Sequence, residues 1–333
     1  MMRWITWLFI SGWILSSAFP AWAGDRVDLP PSHSVKPELY ATGFEFAEGP
    51  ALDADGNLFV INYRGNGKIG RIAPDGTASV CCDLRKDAPP VKDSQPQANG
   101  QKVDRQGYLI VADAGSGRLL RANVTHLEKA PGPVVLVLAD KFEGKPFDAP
   151  NDVALDLAGN IYFSDPGSSN AKKPTGSIYR YDVDTGKLSR LDTDLAYPNG
   201  LAVTPDQKHL CLAESDLHRV LIYDLESGGR VSNRRVLIDF MQESEGNVTG
   251  DVIVPDGMIF DDVGRLYVAT WTGGVINVVE VPSGKLLRQY DAGGKQSTNC
   301  HFHGGYLYTT VAAKEAVFRL KLGVEGFDYR KKP

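Results

Sequence analysis

The sequence lacks a surplus of basic residues. Its 333 residues include 36 Lys and Arg against 41 Asp and Glu, which gives a formal net charge of −5. Proteins that bind nucleic acids use such a surplus to neutralise phosphates, and membrane-surface proteins use it to hold anionic lipids. The charge balance therefore argues against both kinds of partner.

Cysteine is also scarce, and its spacing carries no metal signature. The four cysteines are Cys81, Cys82, Cys211 and Cys300. They form no CxxC pair, so a zinc site is not indicated, and they are too few for a disulfide scaffold. Four cysteines allow three pairings, among which the sequence does not choose. Gly-x-Ser-x-Gly, which carries the nucleophile of many serine hydrolases, is likewise missing.

Tryptophan is nearly absent after residue 23. Four of the five lie in the first 23 residues, and Trp271 is the fifth. That first stretch carries Arg3, then an apolar run over residues 4–18, then Ala21-Trp22-Ala23, which is typical of a signal peptide. A membrane anchor is the alternative, but a bilayer span needs about 20 apolar residues. We expect cleavage after Ala23 and an exported protein, periplasmic or secreted.

What the sequence has in abundance is strands and tight turns. One phrase recurs: a polar residue, a short apolar run, a turn with Asp or Gly, and a second apolar run. The turn positions are Gly56, Gly107, Gly159, Gln207, Gly264 and Gly305. Their spacings are 51, 52, 48, 57 and 41 residues, and a third and usually a fourth strand follow each turn.

Four strands repeated six times at a period near 50 predict an all-β, six-bladed β-propeller. The sixth copy ends after its third strand, so we expect the N-terminal segment beginning at Glu38 to supply its outer strand and close the ring. The expected organisation is a signal peptide (1–23), an N-terminal lead-in (24–37), one propeller domain (38–323) and a C-terminal tail (324–333).

The repeat also predicts a functional site. In five copies a residue with a side-chain oxygen stands eight positions before the turn position: Glu48, Asn99, Asn151, Asn199 and Asp256. Equivalent positions of a propeller lie on one ring around its axis, so these side chains should converge at a mouth of the central channel. Carboxylate and amide oxygens suit calcium, whereas zinc prefers His or Cys. Each Asn-Gly or Asp-Gly alone is typical of an ordinary turn.

The phrases Glu48-Gly-Pro, Pro150-Asn-Asp, Pro198-Asn-Gly-Leu and Pro255-Asp-Gly-Met, in this order, resemble the gluconolactonase, senescence marker protein and luciferin-regenerating enzyme family of calcium-dependent propeller lactonases. The resemblance covers about residues 40 to 322. It implies that Glu48, Asn151, Asn199 and Asp256 hold one divalent cation, most simply calcium. It also implies that Asp256 transfers protons and that Asn99 lies beside the substrate.

Two departures from the family pattern bear on specificity. Ala149 stands where animal sugar-lactone enzymes of the family carry an Arg that grips the substrate. Ile259 stands where a phosphotriesterase relative has a carboxylate for a second calcium, so one metal is expected. We further expect His301 and His303, in the sixth copy, to lie near the ring and to contact substrate.

The sequence thus predicts an exported lactone hydrolase in which a divalent cation polarises the substrate carbonyl. Asp256 would act as general base on water or would attack the carbonyl itself, and both options stay open. One alternative is a phosphotriesterase-like or arylesterase-like hydrolase that uses the same cation. The other is a binding propeller in which calcium is only structural. The expected partner in the leading case is a small lactone or ester.

Overall fold

The computed structural model describes residues 27–65, 67–124, 134–243 and 252–331. The predicted signal peptide lies outside these ranges. Nearly all regular structure in them is β-strand, as the turn-rich repeat predicts. Helical structure consists of single turns: α1 (Leu84–Asp87), α2 (Phe240–Glu243) and the 3-10 turns Ser215–Leu217 and Ala312–Lys314.

Six four-stranded antiparallel sheets form the blades of a β-propeller. Blade 1 contains β2 (Ala47–Leu52), β3 (Leu58–Asn62), β4 (Lys68–Ile72) and β5 (Ala78–Asp83). Blade 2 contains β6 (Ala98–Val103), β7 (Leu109–Asp113), β8 (Arg118–Asn123) and β9 (Val134–Ala139). A short hairpin of β10 (Lys141–Phe142) and β11 (Lys145–Pro146) follows. Blade 3 contains β12 (Val153–Leu155), β13 (Ile161–Asp165), β14 (Gly176–Tyr181) and β15 (Leu188–Leu195).

The second half of the ring repeats this plan. Blade 4 contains β16 (Pro198–Val203), β17 (His209–Glu214), β18 (Arg219–Leu225) and β19 (Val231–Asp239). Blade 5 contains β20 (Pro255–Phe260), β21 (Arg265–Thr270), β22 (Val275–Glu280) and β23 (Leu286–Asp291). Blade 6 contains β24 (Ser297–His303), β25 (Tyr306–Val311), β26 (Ala316–Lys321) and, as its outer strand, β1 (Glu38–Thr42). The inner strand of every blade contacts that of the next, so the ring is closed.

The turn between the first two strands of a blade explains the Asp and Gly of the repeat. In blade 1 an Asp53 carboxylate oxygen accepts a hydrogen bond from the Asn57 amide at 2.8 Å, and Gly56 has φ +79°. Blades 2, 3 and 5 repeat this bond with Asp104, Asp156 and Asp261. An Asp side chain that bonds its own backbone stabilises a tight turn, and Gly takes a positive φ without steric cost.

Each pair of neighbouring blades encloses its own apolar cluster, so the core consists of six wedges between the sheets. Blades 1 and 2 enclose Phe59 and Leu109, for example, and blades 5 and 6 enclose Tyr267 and Leu307. Both faces of a strand inside a blade are therefore buried, which explains why β3 is apolar up to its last residue, Asn62.

The predicted closure of the ring by an N-terminal strand is confirmed. Strand β1 pairs antiparallel with β26, with Glu38 opposite Arg319 and Thr42 opposite Ala316. The Arg319 guanidinium donates to the Glu38 carboxylate at 3.0 Å. The last strand of the chain thus lies next to the first.

The segments on either side of the ring are packed against it. In the lead-in, Leu29 is buried between blades 5 and 6, and the Tyr290 hydroxyl donates to the Pro30 carbonyl at 2.7 Å. The tail crosses one end of the central channel, where the Phe327 amide donates to Phe260 and the Arg330 guanidinium to Leu52. Both segments therefore contribute buried contacts rather than loose ends.

All four cysteines are buried and carry free thiols. Burial raises the pKa of the Cys81 and Cys300 thiols to about 12, so they stay protonated. Across the described ranges, no helix reaches the length and apolar character that a membrane crossing requires.

Candidate active site

The five oxygen-bearing side chains that the repeat predicts stand at equivalent positions of five blades. Each opens an inner strand or stands just before one, and each has an exposed fraction of 7 or 8%. They are Glu48, Asn99, Asn151, Asn199 and Asp256. Equivalent positions of a propeller lie on one ring around its axis. We therefore call this set, together with the equivalent residue of blade 6, the oxygen ring.

Blade 6 contributes Thr298 to the oxygen ring. Its strand register matches that of blade 5, since Phe302 pairs with Leu307 as Phe260 pairs with Leu266. The Thr298 hydroxyl donates to the Ala47 carbonyl of blade 1 at 3.0 Å and also hydrogen-bonds to the Glu48 side chain. Every ring position thus carries a side-chain oxygen.

Two carboxylates of the oxygen ring act on each other. Burial raises the pKa of Glu48 to about 8, and the nearby charge of Asp152 adds to this effect. Burial raises the pKa of Asp256 as well, with the Glu48 charge as the next cause. A hydrogen bond between Asp256 and the Asn199 side chain opposes the shift. Two buried like charges without a cation disfavour ionisation of both.

A hydrogen bond spans the channel directly beneath the oxygen ring. The Asn299 side-chain amide of blade 6 donates to the Asp152 carboxylate of blade 3 at 3.0 Å, between opposite blades. The other Asp152 oxygen accepts from the Val153 amide at 2.8 Å, which fixes its orientation. We call the Asp152–Asn299 pair the floor, because each of its residues directly follows a ring position and the pair joins opposite blades.

The residue after each ring position explains why only these two side chains form the floor. The other four blades have glycine there: Gly49, Gly100, Gly200 and Gly257. A Cβ at Gly257 would overlap the Asn299 amide, and one at Gly200 would overlap the Asp256 carbonyl. Neighbouring inner strands therefore approach too closely for a side chain.

His301 and His303 do not lie with the other predicted site residues. The inner strand runs from the oxygen ring towards the opposite mouth, and these residues stand three and five positions beyond Thr298, roughly 10 and 17 Å along a strand. They line a cavity of about 260 Å³ that the tail residues Tyr329 and Arg330 cover. The prediction that they contact substrate at the ring was therefore wrong about their place.

His301 is a neutral histidine in this far cavity. Burial lowers its pKa to about 3, and the positive charge of Lys102 lowers it further. Its Nδ1 atom is 3.0 Å from the Phe302 carbonyl, so that nitrogen carries the proton. This pattern suits a structural imidazole.

Aromatic residues surround part of the mouth above the oxygen ring. Tyr63 follows β3, and its pKa is raised by burial and by the Glu48 charge. Tyr197 stands two residues before Asn199, and burial together with the Asp256 charge raises its pKa to about 12. Both hydroxyls thus lie close to the ring carboxylates and stay protonated.

The oxygen ring fits a hard divalent cation. The described part of the chain holds no cluster of three or more His, Cys, Asp or Glu that could bind a metal, so a soft-metal site is not formed there. The ring instead offers two buried carboxylates and three amides, which is the donor chemistry of calcium. A cation of charge +2 would reverse the repulsion that raises the pKa of Glu48 and Asp256.

Sequence reasoning missed the floor and Thr298. Aligning Leu307-Tyr308 with Leu266-Tyr267 places Ser297, not Thr298, at the ring position, because the turn of blade 6 is one residue shorter than that of blade 5. The strand pairing of the structure is needed to assign Thr298 and Asn299. The hydrogen bond across the channel needs the sixfold geometry as well, since Asp152 and Asn299 are 147 residues apart.

Comparison with known proteins identifies the family of the chain. The family model described as the SMP-30/gluconolactonase/LRE-like region matches residues 94–313. The chain belongs to this family. The match covers four of the ring positions that carry Asn or Asp, and it extends into blade 6.

Three relatives in sequence illustrate the range of the family. A gluconolactonase from Zymomonas mobilis is 27% identical, over 89% of this chain and 84% of the relative. The pentonolactonase XacC from Haloferax volcanii is 31% identical, over 81% and 83%. The diisopropyl-fluorophosphatase from Loligo vulgaris is 27% identical, over 77% and 82%.

Solved structures share the fold. A luciferin-regenerating enzyme superposes with a TM-score of 0.73 at 21% identity, covering 90% of this chain and 99% of the other. Regucalcin from Agrobacterium tumefaciens, described as a calcium-binding protein, gives a TM-score of 0.70 at 19% identity, covering 90% and 98%. At these identities the likeness concerns the fold alone.

Proposed function

We propose that the protein is a divalent-cation-dependent lactone hydrolase whose active site is the oxygen ring. The observation that carries the proposal is the pair of buried, mutually repelling carboxylates, Glu48 and Asp256, among amide oxygens at one mouth of the channel. The gluconolactonase and pentonolactonase relatives support a lactone-hydrolysing enzyme, a hydrolase of carboxylic ester bonds.

Glu48, Asn151, Asn199 and Asp256 would hold the cation, which we propose to be calcium. When bound, it would supply a Lewis acid that polarises the lactone carbonyl and stabilises negative charge on its oxygen. The carboxylate and amide oxygens of the ring are ligands that calcium takes, which supports this choice. Asn99, in the same ring but outside this set, remains free to hydrogen-bond the substrate.

The chain's own residues account for proton transfer. In the proposed reaction Asp256 takes a proton from water as the water oxygen adds to the carbonyl carbon. The ring C–O bond then breaks, and the proton passes to the alkoxide to give a hydroxy acid. Asn199 orients Asp256 through its hydrogen bond.

The decisive experiment follows acid release from δ-valerolactone and glucono-1,5-lactone with EDTA and after adding calcium back. Chelation should abolish activity and calcium should restore it. Asp256→Asn and Glu48→Gln should each lower kcat/KM on the order of 100-fold or more, the usual scale for removing one essential charged group.

The matched control is Glu45→Gln, which removes an exposed carboxylate from the loop that leads to Glu48. It should leave kcat/KM unchanged. Activity that survives both chelation and the two ring substitutions would overturn the metal-dependent mechanism. Calcium that raises Tm while no lactone or ester is hydrolysed would favour a binding propeller instead.

A second candidate is a phosphotriesterase-like or arylesterase-like hydrolase on the same site. The observation that favours it is the similarity to diisopropyl-fluorophosphatase over 77% of this chain. Hydrolysis of diisopropyl fluorophosphate in the same assay, with no activity on any lactone, would select this function.

We also propose that the protein is exported, on the basis of the signal-like residues 1–23. All four thiols are buried, so the folded chain offers no surface cysteine to an oxidising compartment. Cell fractionation with N-terminal sequencing checks this. We expect the exported protein to begin at Gly24, and a cytoplasmic protein that keeps Met1 would refute the proposal.

A further inference from the structure

Four aromatic side chains from three blades meet above the oxygen ring. Phe46 lies between Tyr63 and Trp271, with ring centroids 5.1 and 5.6 Å away. Tyr197 of blade 4 lies near Tyr63. The Glu48 charge raises the pKa of both hydroxyls, and Tyr63 also raises the pKa of Tyr197. We call Phe46, Tyr63, Tyr197 and Trp271 the aromatic wall. All four are half-buried, so part of each side chain is exposed to solvent.

The aromatic wall bridges blades that are not neighbours. Phe46 and Tyr63 belong to blade 1 and Trp271 to blade 5, so their contact passes over the mouth at blade 6. The Gln296 amide of blade 6 donates to the Trp271 carbonyl at 2.6 Å and supports that side. The aromatic wall therefore lies on the same side of the propeller as the oxygen ring.

The backbone is strained to present two of these side chains. Phe46 has φ +65° and Tyr197 has φ +55°, and each stands two residues before a ring position. The left-handed region is costly for a bulky L-residue, and such strain clusters at functional sites. Gln296, two residues before Thr298, has the same conformation with φ +61°, so this backbone feature recurs between blades and carries an aromatic side chain in two of them.

The chemistry of the aromatic wall favours an apolar ligand. Its surface offers aromatic rings and two phenol hydroxyls, and the Arg64 guanidinium lies over the Phe46 ring, 4.8 Å from the ring centre. A polyhydroxylated lactone needs a hydrogen-bond partner for each hydroxyl that it desolvates. An aryl or alkyl group instead gains contact with ring faces.

We propose that the aromatic wall selects lactones that carry an aryl or alkyl group, with Phe46 and Trp271 as the main determinants. This inference rests on the proposed lactonase function. The lactone carbonyl faces the oxygen ring, and the apolar part of the substrate packs on the aromatic wall. The site thus distinguishes lactones by the contact area of their aryl or alkyl group rather than by hydrogen bonds to their hydroxyls.

Three δ-lactones with the same reacting ring test the proposal. They are δ-valerolactone, 3,4-dihydrocoumarin, which adds a benzene ring, and glucono-1,5-lactone, which adds hydroxyls. Phe46→Ala and Trp271→Ala should each lower kcat/KM for dihydrocoumarin about tenfold, which corresponds to about 1.4 kcal/mol of lost contact. The value for δ-valerolactone should stay within about threefold, because that substrate has no body to pack.

Phe142→Ala is the matched control. Phe142 is a half-buried aromatic residue that contacts Tyr179 in blade 3, away from the oxygen ring. It should leave all three substrates unaffected. Equal losses for dihydrocoumarin and δ-valerolactone, or the largest loss for glucono-1,5-lactone, would overturn the selectivity proposal while leaving the lactonase function intact.

A binding measurement separates the two proposals. The lactam 3,4-dihydro-2-quinolinone has the shape of dihydrocoumarin and resists hydrolysis. Its binding should change the emission of Trp271, which is identified as the emission that Trp271→Phe removes. δ-Valerolactam should not change this emission. If no lactone is hydrolysed, the proposed function fails, and lactam binding still tests the aromatic wall. If lactones are hydrolysed and the lactam leaves Trp271 emission unchanged, the aromatic wall proposal fails.

Discussion

The protonation of Glu48 makes the stability of the metal-free protein depend on pH. Its pKa is raised from 4.5 to about 8 by burial, and the neighbouring carboxylates oppose its ionisation. Between these pH values the unfolded chain releases this proton while the folded, metal-free chain keeps it. A group with a raised pKa contributes stability at low pH that is lost as the pH rises.

We therefore expect the Tm of metal-free protein to fall as the pH rises from about 5 to about 8. Calcium should remove most of this fall, because it stabilises the ionised carboxylates. Glu48→Gln should flatten the metal-free profile, since the titrating proton is gone. Thermal melting in EDTA across this range is the measurement, with Glu45→Gln following the wild type. A Glu48→Gln profile as steep as that of the wild type would contradict the assignment.

At the scale of single elements, the inner strands position the site. Residues at or just before their N-terminal ends form the oxygen ring. The glycines that follow in four blades let the strands approach closely, and Asp152 and Asn299 meet in the other two. The outer strands have no such constraint, and residues such as Val80 in β5 are exposed. Substitutions should therefore be tolerated far better in outer strands than in inner ones.

Gly257→Ala tests the packing of the inner strands. The added methyl group would overlap the Asn299 amide and break the floor, so we expect a loss of about 1–3 kcal/mol in the free energy of unfolding. In an Asn299→Ala background the same substitution should cost clearly less, because the overlapping group is gone. Urea unfolding of the four proteins gives this coupling.

Gly273→Ala is the control for Gly257→Ala. A Cβ at Gly273 would meet its nearest atoms at 3.4 Å, an ordinary contact. It should change the free energy of unfolding by much less than Gly257→Ala. Equal costs for Gly257→Ala with and without Asn299 would show that the floor does not limit this position.

At the scale of the whole molecule, the channel has two ends with different roles. The oxygen ring and the aromatic wall form one end, and the tail covers the other, where Tyr329 hydrogen-bonds to the Val203 carbonyl. Ending the chain at Gly323 should lower the Tm by several degrees, because each kcal/mol corresponds to roughly 2–4 °C for a large domain. At 25 °C, kcat/KM for δ-valerolactone should stay within about threefold.

Tyr329→Phe removes only the hydroxyl and should have a smaller effect on the Tm than the truncation. Circular dichroism shows whether the truncated chain is folded at the assay temperature. A folded truncated chain that has lost its activity would show that the tail supports the oxygen ring through the floor.

The fold was predictable because its information is periodic. The spacing of Asp and Gly at the turns, as at Asp53 and Gly56, repeats in four of the five complete copies and indicates one blade each time. Five of the six oxygen-ring positions were predictable for the same reason. The floor and the place of His301 depend on strand direction and on contacts between opposite blades, which local patterns do not contain. The aromatic wall joins residues 46 and 271, and no spacing rule connects them.

The pairing of β1 with β26 also imposes an order on synthesis. Glu38 and Arg319 are 281 residues apart, so at about 5–20 residues per second the first strand leaves the ribosome roughly 15 to 55 s before its partner. Until β26 is synthesised, β1 has no partner strand, the sixth blade is incomplete, and the oxygen ring is not closed. Catalysis therefore cannot begin in a nascent chain, and the first strand made is among the last to find its place.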